Sequence, residues 1–209
     1  MNEKEYDRSL GIKTIGMREW YTQSAHYNRY EASPYEALDA LFDEYELGKS
    51  DVVVDFGCGK GRLPFYVHNR FHISSKGIEM NPQMYQEALE NQASYMQKNK
   101  QKEGFIEFEM CLAEEYEVEP TDNLFYFFNP FSVQIFSKVI DNILLSVDKK
   151  NRSVDLILYY PTMEYIEYLE TTPFEFLNEV KVPRMYEVND NERFLIFRYE
   201  ALEDGQFIR

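Results

Sequence analysis

The sequence predicts an α/β protein built on a doubly wound, mostly parallel sheet with helices on both faces. Three observations predict it. Strand-like apolar segments alternate with segments of helical period over most of the chain, which is how a parallel sheet covered on both sides is written. A glycine-rich stretch, Gly57-Cys58-Gly59-Lys60-Gly61, sits between an apolar strand and a helix. Two late apolar segments, near the carboxyl end, follow each other with no helix between them. The sheet should therefore finish with an antiparallel hairpin.

Each element can be justified in order. Residues 1–32 read as an irregular or partly helical lead-in. Ser33-Pro34-Tyr35-Glu36 predicts a helix start, with Ser33 as cap, Pro34 at the first position and Glu36 completing a capping box. Leu38, Leu41, Phe42 and Tyr45 continue it at helical spacing, and Gly48 closes it. Asp51–Phe56 carries the β-branched run of a buried parallel strand. A helix over Gly61–Arg70 and a strand over Lys76–Met80 come next. Asn81-Pro82 opens a long helix to about Lys98, with Met84, Ala88 and Leu89 facing inward. Strands are predicted at Phe105–Met110, Asn123–Phe128 and Val154–Tyr159, and helices at Val133–Val147 and Met163–Leu169. The two last strands lie near Phe174–Val182 and Phe194–Tyr199.

The 209 residues suit one such domain with a sizeable core. Asp and Glu total 37 against 22 Lys and Arg, a formal net charge of −15. That field opposes polyphosphate partners, whose non-specific affinity comes from basic side chains. The least acidic part is residues 1–30, where Lys4, Arg8, Lys13, Arg18 and Arg29 outnumber Glu3, Glu5, Asp7 and Glu19 by one. Cys58 and Cys111 have neither a disulfide framework nor zinc spacing. The charged amino terminus is unlike a signal peptide, and no apolar run is long enough to span a bilayer. The expectation is a reduced, cytoplasmic protein with no membrane partner and no metal; its oligomeric state is open.

The chemistry concentrates in Val52–Leu63 (V-V-V-D-F-G-C-G-K-G-R-L). Gly57, Gly59 and Gly61 allow a tight turn, close approach of a ligand and close helix–strand packing. Amides at the following helix start can bind a carboxylate or phosphate. A dinucleotide fingerprint would need its third glycine at position 62, where Arg62 stands. A P-loop is excluded because no Gly-Lys-Ser/Thr follows. Asp55 ends the strand just before the first glycine, and an acid there suits a ligand with an ammonium and a sulfonium better than a pyrophosphate. Glu79 ends the next predicted strand, 22 residues after Gly57. That matches the spacing, about 20, of the acid that receives ribose hydroxyls in dinucleotide-binding folds. Met80 would then touch the adenine.

D-F-G-C-G-K-G with I-E-M-N-P resembles the first two motifs of the class I S-adenosylmethionine-dependent methyltransferases, and the element order agrees over roughly residues 34–200. Together with F-F-N-P-F (Phe127–Phe131), it resembles more narrowly a little-characterised bacterial group of these enzymes. The resemblance implies a seven-stranded sheet with an antiparallel C-terminal strand. It also implies a Rossmann-like methyltransferase domain over 51–209, preceded by a helical lead-in or lid over 1–50. Asp55, Gly57 and Gly59 would hold the methionine end of S-adenosyl-L-methionine and Glu79 the ribose, with Met80 on the adenine and Cys58, Gly61, Ala113, Glu114 and Asn129 completing the cofactor site. In such enzymes an Asp after the third strand accepts the adenine amino hydrogens. Here that loop is Met110–Tyr116; aligned on Ala113, the Asp position holds Leu112, leaving Glu114 or Glu115.

Asn129-Pro130-Phe131 resembles the Asn-Pro-Pro-aromatic motif of enzymes that methylate amide or exocyclic amino nitrogens, with one Pro and not two. The resemblance implies that Asn129 orients the acceptor nitrogen and that Phe131 stacks on a planar substrate. Tyr30 and Tyr35 are candidate lid contacts to substrate or methionine. His68 and His72 are four apart, a metal-compatible spacing, but surface positions are the expectation. The expected activity is methyl transfer to a nitrogen of an unidentified protein, small molecule or RNA. Two rivals are a catalytically silent binding module and a nicotinamide-dependent oxidoreductase, the latter opposed by Arg62.

Overall fold

The computed structural model describes residues 1–16, 31–99 and 103–201. The strands are β1 (Val52–Phe56), β2 (Ser74–Ile78), β3 (Ile106–Glu109), β4 (Leu124–Phe128), β5 (Val154–Tyr159), β6 (Glu175–Lys181) and β7 (Arg193–Tyr199). The helices are α1 (Glu3–Leu10), α2 (Tyr35–Glu44), α3 (Arg62–Phe71), α4 (Pro82–Lys98), α5 (Val133–Lys149) and α6 (Met163–Leu169). The strands form one sheet in the order β3-β2-β1-β4-β5-β7-β6. β1 to β5 pair in parallel, and β7 runs antiparallel to both β5 and β6.

All five residues of β1 are buried, which is why the sequence there shows no polar alternation. Successive side chains still point to opposite faces. Val53 joins a core with Leu38 and Leu41 of α2, Phe65 of α3 and Ala88 of α4. Val54 and Phe56 join a second core with Phe136 and Ile140 of α5 and Tyr165 of α6. Leu10 and Ile12 belong to the first core, so the amino-terminal part shares the sheet's own cover layer. Each such large side chain, fully buried, contributes about 1.5–3 kcal/mol.

Several local predictions are met. Asn81 caps α4, its Oδ1 accepting from the amides of Gln83 (2.8 Å) and Met84 (2.9 Å), with Pro82 at the first position. The start of α2 differs from expectation. Ser33 does not cap it; its hydroxyl lies 2.7 Å from the Tyr126 phenol. The Tyr35 amide donates to the Glu3 carboxylate (2.9 Å), and the helix ends at Glu44 rather than at Gly48. Within the lead-in, α1 is a capped helix, with a reciprocal Asn2–Glu5 capping box and Gly11 at φ +78° behind it.

The carboxyl-terminal hairpin forms, but β7 inserts between β5 and β6. Phe194 to Phe197 are buried on both faces, whereas Glu175 to Asn178 of β6 are exposed. The strand that is apolar on both faces takes the interior position, and the half-polar one takes the edge.

Candidate active site

Strand order reverses between β1 and β4, and in such sheets the crevice outside the carboxyl ends at this point receives the ligand. β1 delivers Asp55 and the glycine loop there. Gly57 takes φ +76°, and its amide and that of Cys58 both donate to the Ile78 carbonyl at the end of β2 (2.9 and 3.1 Å). A Cβ at Gly57 would lie 2.7 Å from Pro130 Cβ, so the loop also abuts the turn after β4. A Cβ at Gly61 would meet the Phe108 ring at 2.5 Å, which is the close helix–strand packing predicted for it.

The loop's own amides are largely engaged. The Gly59 amide donates to Glu79 Oε2 (2.9 Å), and the Gly61 amide donates to the Cys58 carbonyl (2.9 Å). With Gly57 and Cys58 bonded to β2, four amides of the loop are committed within the protein. Two buried acids stand at these strand ends. Asp55 and Glu79 are 6% and 7% exposed. Burial pushes the Asp55 carboxyl well above its ordinary range, and the charge of Glu79 adds to it. The Asp55 carboxylate has no hydrogen-bond partner among the described residues. Burial also raises Glu79, opposed by the amides of Asn81 (2.7 Å, onto Oε1), Gly59 and Met80. The Asn81 and Gly59 amides fix the Glu79 side chain, one on each carboxylate oxygen, and a carboxylate has about four acceptor positions, so acceptor capacity remains.

Asn129 follows β4 at φ +40°, a left-handed conformation for a residue with a side chain. Phe131 is 1% exposed and packs edge-on against Phe127 (6.2 Å), while its carbonyl accepts from the Tyr165 hydroxyl. The expected stacking of its ring on a substrate is therefore corrected: the ring belongs to the core. Phe128, the last residue of β4, is half-buried with its ring 4.6 Å from that of Tyr159. Period two puts it on the same face as Tyr126.

No protein-family model matches the chain, and no curated protein matches it in sequence. Solved structures do. An RNA methyltransferase from Salinibacter ruber in complex with S-adenosyl-L-homocysteine superimposes with a TM-score of 0.57 at 13% identity, covering 84% of this chain and 97% of that one. A SAM-dependent methyltransferase from Methanosarcina mazei gives 0.57 at 14% identity, covering 75% and 95%. Geranyl diphosphate C-methyltransferase from Streptomyces coelicolor, with Mg2+, geranyl diphosphate and S-adenosyl-L-homocysteine, gives 0.52 at 11%, covering 80% and 77%.

The chain has a Rossmann-like methyltransferase fold. Within that fold the structure brings Asp55, Gly57, Cys58, Gly59, Glu79 and Asn129-Pro130 together at the carboxyl ends of β1, β2 and β4. Cys58 is buried, and a Cβ at Gly77 would lie 2.6 Å from its Sγ, so its role there is packing. Met80 is 38% exposed beside Glu79, open to an apolar ligand face. Ala113 is buried in the short 3-10 turn Ala113–Glu115. The Glu114 carboxylate lies 3.9 Å from Lys138 Nζ, and its carbonyl accepts from Asn142 (2.9 Å). Tyr35 is fully buried with its hydroxyl donating to Asp7 (2.7 Å), so it packs rather than lining an open lid. Tyr30 lies outside the described residues. His68 is buried, not on the surface, with Nδ1 2.8 Å from the Tyr95 hydroxyl; His72 is exposed. Among the described residues no helix is long and apolar enough to cross a membrane, and no three metal-ligating side chains gather.

Proposed function

We propose that the protein is an S-adenosylmethionine-dependent methyltransferase acting on a nitrogen acceptor. The observation that carries this reading is the pair of buried carboxylates, Asp55 without a hydrogen-bond partner among the described residues and Glu79 anchored, around a glycine loop with four of its amides engaged. Such a pocket repels polyphosphate and favours a ligand that is cationic at one end and offers hydroxyls at the other. When bound, the donor supplies an electrophilic methyl on a sulfonium.

Asp55 would face the positively charged methionine end, and the free lone pairs of Glu79 would accept both ribose hydroxyls. Met80 would cover the adenine. Asn129 would accept a hydrogen from the acceptor amino group and turn its lone pair toward the methyl for in-line displacement. Aligning the two centres can supply about 7–11 kcal/mol of barrier reduction. The similar folds act on acceptors as different as RNA and geranyl diphosphate, so fold does not choose the acceptor. The net charge of −15 favours a protein or small molecule over RNA.

Calorimetric titration with adenosylmethionine, adenosylhomocysteine and NAD tests the pocket. Binding of the first two and not the third is expected, with Glu79→Ala losing it. Labelled-methyl transfer to lysate fractions treated with nuclease or protease tests the chemistry. Full transfer by Asn129→Ala would refute the nitrogen-acceptor mechanism, and binding without any transfer would leave a silent module.

A further inference from the structure

Arg62 opens α3 where a dinucleotide fingerprint has its third glycine, yet it is only 5% exposed. A cation at this end of a helix meets the positive pole of the macrodipole, and burial adds a desolvation penalty. Among the described residues, its compensating partners come from the amino-terminal part of the chain. Arg62 Nε donates to Thr14 Oγ1 (2.7 Å), and Nη1 donates to the Ser33 carbonyl (2.9 Å) and pairs with Glu3. The guanidinium also lies 4.4 Å over the Tyr35 ring. Buried Asp7 completes the array, accepting from the Thr14 amide (2.6 Å), the Thr14 hydroxyl (2.8 Å) and the Tyr35 hydroxyl (2.7 Å).

A second tie comes from α4. Asn91 Oδ1 accepts from the Lys13 amide (2.8 Å), while its Nδ2 donates to the Lys60 carbonyl (3.0 Å). Residues 13–14 and 33–35 are thus fastened to positions 60 and 62, on either side of Gly61. Ser33 then reaches Tyr126, on the strand beside Asp55.

We infer that Arg62 is a positioning residue for the donor pocket: through it the docked helix α1 sets the glycine loop, so that ligand and docked helix stabilise each other. The inference rests on the donor-site reading above. Reciprocity is required, because a coupling free energy acts equally in both directions. A purely structural Arg62 would behave differently: its replacement would strand its partners and cost stability, but would leave ligand affinity and the ligand's effect on α1 unchanged.

The test uses the full chain, with Arg62→Met and Arg62→Lys. Adenosylhomocysteine affinity is read by calorimetry, and exchange of the α1 amides by mass spectrometry with and without that ligand. In the wild type, the ligand should slow exchange over Glu3–Leu10. In Arg62→Met the dissociation constant should rise roughly tenfold, and ligand should no longer slow exchange in α1. Arg62→Lys, which keeps the charge but not the fork, should fall between. If Arg62→Met does not fold, Thr14→Val, which removes one guanidinium partner, should show the same two losses in smaller measure. Wild-type affinity in Arg62→Met, or undiminished ligand protection of α1, overturns the role given to Arg62 alone. Failure of the wild type to bind either nucleoside overturns the donor-site reading, and this inference with it.

Discussion

Gly57→Ala probes whether the glycine loop and the turn after β4 form one wall. Gly57 sits at φ +76°, where an L side chain costs about 1–2 kcal/mol. The new Cβ would lie 2.7 Å from Pro130 Cβ, against an optimum of about 3.5–4.0 Å for such contacts. The wall would have to open by about 1 Å, and overpacking of that kind costs about 1–3 kcal/mol. The two add to roughly 2–5 kcal/mol, a large part of the roughly 5–15 kcal/mol that holds a typical domain together. Gly11→Ala is the matched control. Gly11 has nearly the same φ, +78°, but its added Cβ would meet the flexible Lys98 side chain at an ordinary 3.4 Å. Urea unfolding of both variants, with adenosylhomocysteine titration, separates backbone strain from the Pro130 overlap. Gly57→Ala should lose clearly more stability than Gly11→Ala and lose ligand affinity as well. Equal losses in the two variants would refute the argument that Pro130 closes on the loop.

Asp55 makes the pocket pH-dependent. Because burial, aided by Glu79, raises its carboxyl above the unfolded value, it favours the folded state while protonated and loses that contribution as pH rises through the folded value. The ligand-free protein should therefore gain stability on acidification through that window, and Asp55→Asn should shrink the gain to the part that raised Glu79 supplies. A cationic donor needs the ionised form, so adenosylmethionine affinity should weaken by up to about tenfold per pH unit over the same window; an affinity independent of pH would count against Asp55 as its partner. Lys76 is buried in β2, 2.8 Å from fully buried Asp122 and paired also with Glu119. Lys76→Met should cost about 3–5 kcal/mol in denaturant unfolding, because it strands the Asp122 charge. Adding Asp122→Asn should recover part of that loss; no recovery would mean that the pair is not coupled.

Local order was legible because it depends on local chemistry. Val154–Tyr159 and Met163–Leu169 fall at the predicted boundaries, and Asn81-Pro82 caps α4 as its residue types require. The pairing of the glycine loop with Glu79 was legible too, since strand, turn and helix put the loop and the next strand end side by side. The Ser33 prediction failed because a hydroxyl that can cap its own helix can also reach Tyr126, 93 residues away in sequence, and only packing decides between them. Phe131 failed similarly: an aromatic after Asn-Pro is the same residue type whether it faces ligand or core.

By itself, the sequence determined the layered α/β plan, the position of the loop at the end of β1 and the acids that accompany it. These follow from period, glycine content and spacing along the chain. Only tertiary structure decided that β7 enters the sheet before β6, that four of the loop amides bond within the protein, and that Arg62 reaches Glu3, 59 residues away. The reason is burial: a polar group withdrawn from water must find a partner, and the nearest available one is set by packing rather than by sequence distance.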